Sequence, residues 1–221
     1  MGKFARFAIS LAALGLAVGL TTAVASASYS GVAYCNVSTS ISQSTPTSSG
    51  LAAAEGSSTE CATFSATSIN FSGDADYPNN YNLGGFLTAN GAGFGITYMN
   101  GASASTNLDN SLWVITGTAS FVSGESFTVI HDDGVQLYVN GVNVLSDGGP
   151  TAPVSTAYTY TGATGNFGFQ FIYTECCGGT ADFITSLAPP TSGATPEPST
   201  FVLLGSGLLG LLGAAKRRFI A

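Results

Sequence analysis

The stretch "FTVIHDDGVQLYVNGVNVL", Phe127 to Leu145, decides the fold class of this chain. Val135, Leu137 and Val139 fall on one face of an extended segment while Gln136, Tyr138 and Asn140 fall on the other, the period-two alternation of a strand with one face in the core. Asn140-Gly141 then separates "VQLYV" from "VNVL". Both residue types tolerate the positive φ that a two-residue type I′ turn demands, so the pair predicts a β-hairpin. On the other side of the strand, Asp132 and Asp133 set two like charges next to His131, the chain's single histidine. Two readings compete. Either the acids gather a cation or ligand hydroxyls, or they bond the backbone of their own turn while Gly134 takes a conformation open only to glycine.

Outward from the hairpin, "SLWVITGTASFVSGESFTVI", "AYTYTGATGNFGFQFIY" and "ADFITSL" repeat the pattern of short strands broken by Gly and Asn. Such spacing predicts an all-β domain, an antiparallel, jelly-roll-like β-sandwich, over residues 28–187. Ser38 to Glu60, dominated by Ser, Thr, Ala and Gly, reads as irregular loop with at most one strand, and Tyr29 to Asn110 carries no assignable motif. Trp113 is expected in the core, its rival role being an exposed platform for sugar stacking. "GDADYPNN" from Gly73 begins like a calcium loop, but Pro78 takes a ligand position and no Glu closes it, so it reads as a turn.

All five basic residues, Lys3, Arg6, Lys216, Arg217 and Arg218, lie near the ends of the chain. The body, from Ser28 to about Thr195, holds eleven acids and no Lys or Arg, a formal charge of about −11. Nucleic acid is excluded as a partner, because its affinity rests on Lys and Arg displacing counterions. A surface of uncompensated carboxylates invites solution cations, calcium foremost outside the cell. No GxSxG, HExxH or phosphate loop occurs in the body, and no cation is present to stabilise an anionic transition state. The expectation is therefore a protein that is not an enzyme; a glycoside hydrolase, which needs only two carboxylates, is the remaining catalytic alternative. His131 reads as a hydrogen-bonded turn residue rather than a base.

The N-terminus, "MGKFARFAISLAALGLAVGLTTAVASAS", has a basic flank, an apolar run from Phe7 to Leu20 and a small-residue cleavage site, the pattern of an export signal peptide over residues 1–27. Cys35, Cys61, Cys176 and Cys177 would then meet an oxidising compartment and pair fully. A ring between adjacent cysteines presents its Cβ atoms poorly, so the expected pairing is crossed, with Cys35 and Cys61 each reaching one of Cys176 and Cys177. At the other end, Pro196, Glu197 and Pro198 in the Pro-rich linker 188–200 precede a segment, 201–221, that is apolar from Phe201 to Ala215 and then basic at Lys216, Arg217 and Arg218. A helix over the apolar part would extend about 22 Å, short for a hydrocarbon core of roughly 30 Å. The basic cluster would keep that tail at the inner membrane with the body outside.

This ending resembles the PEP-CTERM sorting signal of Gram-negative bacteria. That resemblance implies an exosortase as processing partner, transient attachment to the inner membrane, and a final place outside the cell, at its surface or in the outer envelope. The stretches "FTVIHDDGVQLYVNGVNVL" and "GNFGFQFIYTECCGGTADFITSL" resemble the protective-antigen type carbohydrate-binding domain of bacterial glycosidase modules and yeast adhesins, most clearly over 111–187. In the sugar-binding adhesins of that family two adjacent Asp joined by a cis peptide hold one Ca²⁺, and the ion takes two sugar hydroxyls. Asp132 and Asp133 match that pair. Glu175, in the loop from Thr174 to Thr180, stands where the adhesins add an Asn, and is the expected third ligand-binding residue. The resemblance thus implies a non-enzymatic glycan-binding module, with Ca²⁺ as cofactor and extracellular polysaccharide as partner in the exopolysaccharide or biofilm matrix. A structural matrix protein without a sugar ligand is the second reading.

Overall fold

The hairpin forms where the sequence places it. Val135–Val139 and Val142–Asp147 pair antiparallel around Asn140 and Gly141, whose φ angles of 50° and 79° are those of the expected turn. Val135, Leu137 and Val139 are buried in the core. The computed structural model describes residues 28–57, 59–73 and 81–187. Strands β1 (Tyr29–Tyr34), β2 (Glu60–Ala66), β3 (Asn70–Ser72), β4 (Gly93–Tyr98), β5 (Ser111–Phe121) and β6 (Ser126–Asp132) precede the hairpin strands β7 and β8. Strands β9 (Val154–Thr159), β10 (Gly165–Glu175) and β11 (Asp182–Thr185) follow them.

Two antiparallel sheets result, one of seven strands in the order β4-β2-β1-β5-β10-β7-β8 and one of four in the order β3-β11-β6-β9. The core between them is aromatic. Phe64 of β2 meets Phe71 of β3 edge to face, and Tyr173 of β10 stacks on Phe183 of β11 with ring centroids 4.8 Å apart. Trp113 is buried there as expected, its indole N–H donating to Ser111 Oγ at 2.8 Å, so it offers no platform to solvent.

The region from Ser38 to Glu60 differs from its expected form. It carries two short helices, α1 (Thr39–Ser42) and α2 (Ser48–Gly56), the second capped by Thr47, whose hydroxyl accepts from the Gly50 amide. Leu51 and Ala54 of α2 pack on Tyr34, Leu112, Val114 and Ile172, covering part of the outer face of the large sheet. Ser, Ala and Gly hid this helix because its apolar side is only two residues wide. A third helix, α3 (Leu83–Thr88), buries Phe86 against Trp113.

Strand register gives the sandwich two distinct ends. Ser111 faces Glu175 and Phe121 faces Gly165 along the paired β5 and β10, and Asp182 faces Asp132 between β11 and β6. Asp132, Glu175 and Asp182 therefore meet at one end. The described chain leaves at the other, where Leu187 accepts a hydrogen bond through its carbonyl from the Tyr29 hydroxyl. Asp74, Asp76 and Pro78, the signal peptide 1–27, and the linker and tail from residue 188 onward lie outside the described residues. Among the described residues no helix is long and apolar enough to cross a membrane.

Candidate functional site

Asp132 closes β6 and Gly134 precedes β7, so the acid pair sits at the crossing from the small sheet to the large one. The Asp132-Asp133 peptide is cis, as the resemblance implies. Gly134 is not in the left-handed region. Glycine is required because a Cβ there would lie 2.7 Å from Pro46 Cδ and 2.9 Å from the Ser44 carbonyl oxygen, so crowding by the α1–α2 connection replaces the expected conformational reason.

Both acids are buried, yet they line the floor of a cleft of about 380 Å³. Pro150, Thr151, Ala152 and Pro153 form one wall, and Cys176 to Thr180 form the other. Asp133 Oδ1 accepts from the Thr151 amide and Oδ2 from the Cys176 amide, each at 2.7 Å. Thr180 donates its hydroxyl to Asp132 Oδ2 at 3.0 Å. Burial pushes the Asp133 carboxyl above the ordinary range; the two amides and His131 pull the other way. His131 is buried behind the pair, with Nδ1 donating to the Asp133 carbonyl and Nε2 3.3 Å from Asp147 Oδ2. It is hydrogen-bonded as the sequence suggests, but it lies within strand β6, paired with Phe183 and Val154, and not in a turn.

Glu175 is corrected from its expected role. It is 1% exposed and does not line the cleft. Its Oε1 accepts from the Tyr81 hydroxyl at 2.9 Å, and its Oε2 lies 2.5 Å from the Tyr173 hydroxyl. The Tyr173 hydroxyl also bonds the Asp132 carbonyl, which can only accept. One hydroxyl carries one proton, so with that proton on the Asp132 carbonyl the close Glu175 oxygen must carry its own. Desolvation acts in the same direction, pushing the Glu175 carboxyl up to about 10. Burial and these contacts favour the neutral acid at Glu175, which reaches the acid pair through Tyr173.

The cysteines also depart from expectation. Cys35 pairs with Cys61 and Cys176 with Cys177, not crosswise. Cys35 directly follows β1, and the antiparallel register of β1 and β2 brings it within 5.7 Å of Cys61, Cα to Cα. Cys176 and Cys177 lie across the fold on the cleft wall, with only each other in reach.

Sequence reasoning missed Asp109, Tyr81 and Tyr173. Asp109 Oδ1 accepts from the Gly178 amide at 2.7 Å, tying the cleft wall to the loop before β5, and stands 2.9 Å from the Tyr81 hydroxyl, for whose one proton it competes with Glu175 Oε1. No spacing signals this, because Tyr81 and Glu175 stand 94 positions apart.

Two carboxylates and the oxygens around them are hard donors that suit Ca²⁺, and no Lys or Arg of the body competes for them. Among the described residues no group of three or more His, Cys, Asp or Glu is placed to hold a metal. A cation at the pair would therefore draw its remaining oxygens from main-chain carbonyls, water or a ligand.

The sorting-motif model described as "PEP-CTERM protein-sorting motif" matches residues 194–218, which marks an exported protein sorted to the cell surface. No curated protein matches the chain. Among solved structures, the PA14 sugar-binding domain from an RTX adhesin superposes with a TM-score of 0.51 at 22% identity, covering 73% of this chain and 89% of that one. The PA14 domain of the MpAFP antifreeze protein superposes with a TM-score of 0.47 at 18% identity, covering 76% and 84%. The chain thus joins a sandwich of the PA14 fold to a PEP-CTERM sorting motif.

Proposed function

We propose that this is a secreted, non-enzymatic glycan-binding module that exosortase processes at its C-terminus and that works in the exopolysaccharide matrix. The observation that carries the reading is the pair of adjacent, buried carboxylates on the floor of an open cleft, in a domain without Lys or Arg. Asp132 and Asp133 would hold Ca²⁺. The ion would supply coordination positions for vicinal hydroxyls, since calcium accepts six to eight oxygens and two carboxylates fill only part of that shell. Pro150, Pro153 and the Cys176-Cys177 wall would shape the space for a sugar ring.

Two further features support it. The described chain leaves at the end opposite the cleft, so its exit does not crowd the cleft. Glu175, whose carboxyl is pushed up to about 10, is enclosed by two tyrosines and does not line the cleft, so that acid is not placed to protonate a glycosidic oxygen there.

A glycan array probed with the mature secreted protein tests the reading, in calcium and in chelator. Binding in calcium that is lost with chelator and in Asp132→Asn is expected. Silence in both buffers would leave a structural matrix protein in its place. Processing is tested separately by mass spectrometry of the extracellular form, which should end within or before Pro196-Glu197-Pro198. An intact tail through Arg218 would remove the exosortase step.

A further inference from the structure

The loop from Cys176 to Thr180 touches both acids of the cleft floor and Asp109 beside them. The Cys176 amide donates to Asp133, the Gly178 amide to Asp109, and the Thr180 hydroxyl to Asp132. Its backbone is left-handed at three successive residues, with φ of 72°, 70° and 107° at Cys177, Gly178 and Gly179. Glycine enters that region freely. A cysteine does so at a cost, since its Cβ crowds the following carbonyl. Ring closure to Cys176 fixes the Cys176-Cys177 unit and with it the aim of both amides. The two disulfides also differ in access. Cys35 and Cys61 are 5% and 3% exposed, whereas Cys177 is open to solvent on the cleft wall.

We propose that the Cys176–Cys177 disulfide is a thiol-exchange site that positions the cleft wall, so that its oxidised form holds the ligand site and its reduction by an external dithiol releases it. Thiolate attack depends on access, which selects the Cys177 sulfur over the buried pair. An external thiolate bonds to Cys177 Sγ and the Cys176 thiolate leaves. The second thiol of the reagent then attacks the mixed disulfide, bonding its own sulfur and freeing Cys177. Two electrons and two protons pass to the cysteines, and the dithiol leaves as a cyclic disulfide. Cys177 is then free to move into the right-handed or extended region, which turns the Cys176 and Gly178 amides away from Asp133 and Asp109. The inference rests on the cleft being the ligand site, but its structural part does not.

The experiment treats the mature protein with a graded dithiol and follows it by thiol alkylation, amide hydrogen exchange and calcium titration. Cys176 and Cys177 should alkylate while Cys35 and Cys61 stay bonded. Exchange at the Cys176 and Gly178 amides should rise by roughly 10-fold or more, as local opening frees them. Reduction of both disulfides together, or unchanged exchange at those amides, would overturn the proposal. If the oxidised protein binds calcium, the reduced protein and Cys176→Ser/Cys177→Ser should bind it about 10-fold more weakly or worse, a loss of about 1.4 kcal/mol. Equal affinity would refute the gating. If the oxidised protein binds no calcium, the calcium reading falls by itself, and the alkylation and exchange results still decide the disulfide's role.

Discussion

At the end where the described chain leaves, Phe121, Phe127, Tyr160 and Leu187 surround a cavity of about 280 Å³, with Glu125 and three serines among its walls. At the other end Asp132 and Asp133 floor a cleft, bonded by the Thr180 hydroxyl and two main-chain amides, while Asp109, Glu175 and Asp182 stand close by, the first two against the Tyr81 hydroxyl. The first end follows the general rule of folding, with apolar surface withdrawn from water. The second breaks it, burying acids where the described residues offer no Lys or Arg. Local choices that oppose stability concentrate where a protein has a task other than folding, and here they concentrate at the cleft.

The largest effects should separate the two ends. Phe121 is buried and packs on Tyr160 with ring centroids 5.0 Å apart. Phe121→Ala should cost about 3 to 5 kcal/mol through the cavity it leaves. Asp133→Ala leaves the Thr151 and Cys176 amides without their acceptor and should cost about 2 to 4 kcal/mol. Only the second should abolish a calcium-induced rise in melting temperature, the sign of a ligand that binds the folded state alone. Denaturant and thermal unfolding of both variants, with and without millimolar calcium, makes the comparison. If Phe121→Ala also lost the calcium response, the ends would not be independent.

A smaller effect lies in the pH dependence of the acid end. Glu175 is raised from 4.5 to about 10 on folding, first by desolvation. The folded state therefore binds more protons than the unfolded state between those values, so this group's contribution is fully present below about pH 4.5 and declines as pH rises toward 10. Gln is the near-isostere of a neutral Glu, with an amide donor for Tyr173 and a carbonyl acceptor for Tyr81. Glu175→Gln should match wild type near pH 5 and exceed it at pH 9 in thermal unfolding. A wild-type profile as flat as the variant's would mean that Glu175 is ionised in the fold.

The hairpin, its turn and the acid pair were legible because each is a local matter. Asn140-Gly141 needs only its own φ angles, and alternation over Val135, Leu137 and Val139 needs only a strand. The disulfides were misread because the antiparallel register that joins Cys35 to Cys61 is set by the partner strand, not by cysteine spacing. Glu175 was misread for the same reason. Nothing near it in sequence except Tyr173 announces the enclosure that Tyr81 completes from the other half of the chain. Helix α2 escaped notice because Ser, Ala and Gly fit a loop as readily as a helix with a narrow buried side.

The smallest effect compares one polar bond at each end. Thr180 donates to Asp132 Oδ2 at 3.0 Å, and Ser186 accepts from the Thr128 amide at 2.9 Å. Both sites are open enough for water to replace the lost partner in part. Thr180→Val and Ser186→Ala should each cost about 1 kcal/mol in calcium-free buffer. They should part company when calcium is added. A cation at Asp132 would take up the carboxylate charge that Thr180 otherwise satisfies, so the deficit of Thr180→Val should shrink in millimolar calcium. That of Ser186→Ala should stay as it was, since no acid lies in its bond. Paired melting curves of the two variants and wild type in both buffers read the difference directly. A Thr180→Val deficit as large with calcium as without it would mean that no cation reaches Asp132, and the acid end would then be a costly turn rather than a site.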